Sequence, residues 1–164
     1  MERLAKAGNK IAIKQMDESL EEMWLGDTPS VMNAEELMIY EAMLPLAQEA
    51  IAALPQQAPI LAEGAGFLPS CMQSLGVQPG FYACIVPTPA FRRAQYAQRP
   101  WIGQFLDGVS DKEAAFENWM RRDDLFSEAV LADARRLGYP SYVVDGEKGI
   151  EDTSAFVEKA FNLA

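Results

Sequence analysis

The 164-residue chain is long enough to bury one sizeable core, and it sets 24 Asp and Glu against 14 Lys and Arg, a formal net charge of −10 at pH 7. An acidic total argues against nucleic acid as a partner, which is bound through excess positive charge, and the absence of histidine removes His-based triads and the commonest metal ligand. No apolar run reaches the roughly 20 residues of a membrane span, "MERLAKAGNK" has no apolar core or cleavage site of a signal peptide, and two lone cysteines, Cys71 and Cys84, make no disulfide scaffold. These features predict one cytoplasmic domain over 1–164 that engages neither membrane nor nucleic acid.

Residues 1–32 read as an N-terminal helical segment, helical from Met16 to Leu25. Its acids in "DESLEE" (17–22) suit a solvated helix face, with weak Mg²⁺ binding as the alternative. The remaining core, 33–164, opens on a capping box, Asn33 with Glu36, followed by Leu37, Ile39, Tyr40, Met43, Leu44, Ala47 and Ile51 at helical spacing. Pro45 falls inside this helix and predicts a kink. Ser110 and Glu113 form a second capping box, opening a long helix through Phe116, Trp119, Phe126 and Val130 that ends at Gly138, with Arg135 and Arg136 in its last turn. An amphipathic helix from about Glu151 through Phe156, Ala160 and Phe161 closes the chain. Trp24, Trp101 and Trp119 read as core or interface residues, and the cysteines as small core residues.

Between the helices lie three short apolar runs bounded by Pro or Gly: "PILAEG" (59–64), "FYACIVP" (81–87) and "SYVVDG" (141–146). Runs that are uniformly apolar suit strands buried on both faces of a parallel sheet. The expected fold class is therefore α/β, a three-layer sandwich around a short parallel sheet. In such sheets functional groups gather at the carboxyl ends of the strands, which carry Glu63-Gly64, Pro87-Thr88 and Asp145-Gly146. Charge is also unevenly placed. From Gly64 to Leu106 there is no Asp or Glu, and the only charged side chains are Arg92, Arg93 and Arg99. Arginines without acids nearby in sequence suit an anion site, because guanidinium binds phosphate bidentately and never deprotonates.

The succession "PILAEGAGFLP", "VPTPAFRRAQYAQRPW", "FENWMRRDDLF", "YPSYVVDGEKGIEDTSAFVEKAF" resembles the later part of nucleotide-kinase-like P-loop NTPases, in particular an uncharacterised bacterial group of them, over about 40–163. The resemblance implies that Glu63 serves near Mg²⁺ or the phosphoryl acceptor. It implies that a lid at about 88–109 clamps phosphates through Arg92, Arg93 and Arg99, joined by Arg121 and Arg122, and that Asp145 and Gly146 pack near the adenine base. ATP and Mg²⁺ are the cofactors it implies, and a phosphate-containing small molecule the partner. Read from the residues alone, Glu63 equally suits a helix cap, the lid arginines could snorkel from a surface helix, and Arg121 and Arg122 could pair with Asp123 and Asp124.

The P-loop string G-x-x-x-x-G-K-[ST] is missing, as is a complete G-x-G-x-x-G. Met1 stands about where the family's second strand would have ended, so a strand–loop–helix unit of roughly 30 residues or more is expected to be absent, and with it tight binding of ATP. In the implied strand order 2-3-1-4-5, a gap would fall between "ILAEG" and "YACIV". Direct closure, the segment "KIAIK", or a second chain in a homo-oligomer would fill it. Two functions follow: a kinase-like phosphotransferase lineage inactive as this chain, or a non-catalytic binding or assembly domain that dimerises and keeps an anion pocket.

Overall fold

The computed structural model describes residues 1–55 and 57–163. Two short helices, α1 (Glu2–Lys6) and α2 (Lys10–Asp17), lead into a π-helical turn, Glu22–Gly26. Asn9 caps α2 by accepting from the Ala12 amide at 2.9 Å. The long helix α3 (Pro29–Ala52) starts at Thr28, whose hydroxyl accepts from the Val31 amide, with Pro29 in the first turn where its missing N–H costs nothing. Asn33 is therefore an interior residue and not a cap, and Pro45 sits within α3. A short helix α4 (Pro69–Ser74) precedes the strand β1 (Cys84–Pro87). Then come α5 (Pro89–Ala97), a 3₁₀ segment at Ile102–Leu106, α6 (Lys112–Arg136), β2 (Ser141–Val144) and α7 (Ile150–Ala160).

Helix accounts for 64% of the described residues and strand for 5%, which overturns the three-layer α/β sandwich. Two of the three apolar runs do form strands, and they pair in parallel with Cys84 opposite Ser141 and Pro87 opposite Val144. The third, 59–64, is irregular and exposed, with Leu61 78% accessible. A uniformly apolar run becomes a buried strand only where a neighbouring strand satisfies its backbone, and among the described residues β1 pairs only with β2. "KIAIK" does not fill the sheet either, since it lies in α2.

Packing divides α6 in two. Its amino-terminal half places Ala115, Trp119 and Met120 against Trp24, Met32, Ile102 and Leu106. Trp24 and Trp119 stack with centroids 4.7 Å apart, and the Trp24 indole N–H donates to the Phe105 carbonyl at 3.0 Å. The carboxyl-terminal half places Val130 and Ala134 under Cys84 and Val86 of β1, beside Leu68, Cys71, Met72 and Tyr139. Tyr142 of β2 stacks on Phe156 of α7. Asp111, not Ser110, caps α6 by accepting from the Ala114 amide, while Ser110 is held by the Glu21 carboxylate. The helix stops at Gly138, whose φ of 76° only glycine adopts freely. Both cysteines are free and buried. Among the described residues no helix is long and apolar enough to cross a membrane.

Candidate functional site

The carboxyl ends of β1 and β2 lie side by side and are locked together by α5. The Thr88 amide donates to the Val144 carbonyl at 2.8 Å, and the Thr88 hydroxyl caps α5 by accepting from the Phe91 amide. Phe91 in turn covers the turn after β2. Gly146 has φ of 88°, and a Cβ there would stand 2.6 Å from the Phe91 ring, so any side chain would push α5 away. Asp145 closes the same turn by accepting from the Glu147 amide at 2.9 Å. The lid segment and the Asp145-Gly146 turn, far apart in sequence, are thus brought to one place. Glu63 lies exposed on the irregular 59–64 segment, with no hydrogen-bond partner among the described residues.

Acids from α6 claim two of the three lid arginines, which corrects the expectation that this group stands unpaired. Arg92 is buried and meets the Asp124 carboxylate and the Ser127 hydroxyl, a pair three residues apart on one face of α6. Burial pushes the Asp124 carboxyl above its ordinary range, while Arg92 pulls it back. Arg93 pairs with Glu117 at 2.6 Å near the surface. On α6 itself, Arg121 reaches Glu128 at 3.5 Å in the open. Arg122 lies between Glu36 at 3.2 Å and Asp123 at 2.7 Å, with its guanidinium 5.2 Å from the Trp24 ring centroid.

Arg99 differs from the other four. It is exposed, has no acid partner among the described residues, and sits 4.9 Å from the Tyr96 and 5.5 Å from the Trp101 ring centroid. Trp101 and Phe105 are each 42% accessible and pack edge to face at 5.7 Å. Tyr96 and Phe105 also lean on Trp119, so this surface is the outer rim of the aromatic core. Cation–π contact with the rings makes no hydrogen bond to the guanidinium N–H groups, which have no partner among the described residues and can meet an anion. The exposed rings beside it offer a shelf for a planar group.

A second feature escaped the sequence reading. A cavity of about 120 Å³ lies between α2, the π-helical turn, α3 and α6, lined by Lys14, Glu18, Trp24, Glu35, Glu36 and Arg122. Lys14 bridges Asp27 at 2.6 Å and Glu35 at 2.8 Å. The Glu18 carboxylate faces the cavity without a hydrogen-bond partner among the described residues, and desolvation raises its pKa above the ordinary range, Lys14 opposing. The "DESLEE" acids are therefore not one solvated face. Glu21 holds Ser110, Glu22 caps the turn at Ser19, and Glu18 is half-buried. The signal for this cavity was slight: a Gly-Asp-Thr-Pro break between two helices.

Among the described residues no group of three or more carboxylates or thiols is placed to hold a metal. Glu63 stands apart from other carboxylates, so it would offer Mg²⁺ one carboxylate, with phosphate and water to supply the remaining oxygens. Comparison with protein-family models, curated proteins and solved structures finds no match to the chain. The kinase-like resemblance stands on its motifs alone.

Proposed function

We propose that this chain is a non-catalytic binding domain for a phosphate ester that carries a planar ring, with Arg99 as the phosphate contact and Trp101 and Phe105 as the stacking surface. The observation that carries the reading is the state of the five candidate arginines. Arg92 and Arg122 are fixed by buried or half-buried carboxylates, Arg93 and Arg121 by exposed ones, and Arg99 alone has free donor edges on an aromatic support. Charge-assisted bonds to phosphate are among the stronger polar contacts, and stacking on an aromatic shelf is tolerant of the ring it meets. The kinase-like motif order favours a nucleotide as the ligand and a phosphotransferase ancestry for the domain. The paired cationic residues favour binding without transfer, since phosphoryl transfer depends on cations gathered on the phosphates. A reducing cytoplasm is the compartment we propose, from two buried free thiols.

Calorimetric titration with ATP, with and without Mg²⁺, tests this. The expected result is saturable binding that Arg99→Ala weakens by roughly tenfold or more, the loss of one charge-assisted bond, with no phosphate transferred or released. Absence of any binding would refute the domain's assigned role, and turnover would return it to the enzymes.

A further inference from the structure

We infer that two copies of this chain pair edge to edge through β1, about a twofold axis at Ile85. The register gives the geometry. Cys84 donates to the Pro140 carbonyl and Thr88 to the Val144 carbonyl, so the even-numbered residues of β1 face β2. In a strand the backbone groups of alternate residues point to opposite sides. Ile85 therefore turns both its N–H and its C=O away from β2, and neither has a partner among the described residues. Its side chain is 41% accessible.

An edge of this kind takes an extended backbone, and three observations select a second copy as its occupant. First, one residue with both groups outward is self-complementary. Across a twofold axis, antiparallel Ile85 residues exchange two hydrogen bonds, N–H of each to C=O of the other. Second, Pro87 has no N–H to give, so the edge cannot carry a long ladder with a foreign strand, and the short, centred contact fits it best. Third, the stretch from Gly64 to Phe91 contains no Asp, Glu, Lys or Arg in a chain of net charge −10. Pairing through this segment therefore sets no like charges of its own side chains opposite one another, which would be destabilising. Phe81, four residues before Ile85, is itself 77% accessible. The inference is independent of the Arg99 site and survives its failure.

Light scattering over a wide dilution series reads the association, and amide hydrogen exchange locates it. A dimer that dissociates on dilution is expected, with exchange at the Ile85 amide at least about tenfold slower in the dimer than in the monomer. Ile85→Lys is expected to be monomeric with an unchanged far-ultraviolet circular dichroism spectrum. A wild-type chain that stays monomeric at every concentration would overturn the inference. So would a dimer whose Ile85 amide exchanges as fast as the monomer's. Should Ile85→Lys fail to fold, the exchange measurement on the unmodified chain still decides.

Discussion

Along α6, the amino-terminal half buries Ala115, Trp119 and Met120 in a core of stacked indoles and 3₁₀ segment, whereas the carboxyl-terminal half buries Val130 and Ala134 beneath a two-stranded sheet. The first core is assembled from irregular pieces: a π-helical turn, the start of α3, and the segment after α5. It depends on ring geometry, with Trp119 touching Trp24, Tyr96 and Phe105. The second depends on small, close-packed groups such as Cys71, Cys84 and Ala134, pinned by the Tyr82 and Tyr139 hydroxyls donating to the Phe67 and Val77 carbonyls. Burial raises the pKa of both tyrosines. The difference teaches where function can sit. The aromatic core has a leaky rim, where Arg99, Trp101 and Phe105 reach solvent, and the sheet core has an open strand edge.

Arg92 and Asp124 are where α5 is fastened to the middle of α6, between the two cores, and breaking that pair has the largest expected effect. Asp124→Ala leaves a buried guanidinium uncompensated and should cost about 3–5 kcal/mol in urea denaturation. Replacing both partners by leucine should recover most of the loss, and failure to recover would mean that the pair holds more than its own charge. Trp119→Ala, at about 3–5 kcal/mol or slightly less, separates the cores. Amide protection should fall across 20–32 and 102–109 and persist at 84–87 and 141–144. Uniform loss would show that the two cores are one cooperative unit.

Glu18 gives the smallest stability effect. Its carboxyl is raised in the folded chain by desolvation, so the folded state prefers the protonated form. Neutral pH then carries a cost that is relieved as pH falls through the raised pKa. Glu18→Gln should raise Tm slightly at pH 7, with the gain shrinking in acid. A lower Tm at pH 7 would reveal a partner that Glu18 needs.

How much of this was legible in the sequence follows the same division. The end of α6 at Gly138 and the placement of α7 are set by local chemistry and could be read directly, while the β1 and β2 runs form strands because each has the other to pair with. The start of α3 could not, because Asn33-Glu36 imitates a capping box while Thr28-Pro29 supplies the actual start. "PILAEG" misled because an apolar hexapeptide specifies a strand only when a neighbour exists to pair with it. The arginines were recognisable as a group, but not their fates. Asp124 and Ser127 lie more than thirty residues from Arg92, and only the packing of α5 on α6 makes them partners. Arg99 escaped capture because it follows the end of α5, where no α6 carboxylate pairs with it.

That contrast can be put to a direct measurement. ATP is titrated calorimetrically into Arg99→Ala and, in parallel, into Arg121→Ala, which removes an equal charge from an exposed site on α6. The account predicts that binding collapses in the first variant and stays at the wild-type level in the second. Equal losses in both would mean that ATP responds only to overall charge, and would contradict the assignment of Arg99 as the phosphate contact.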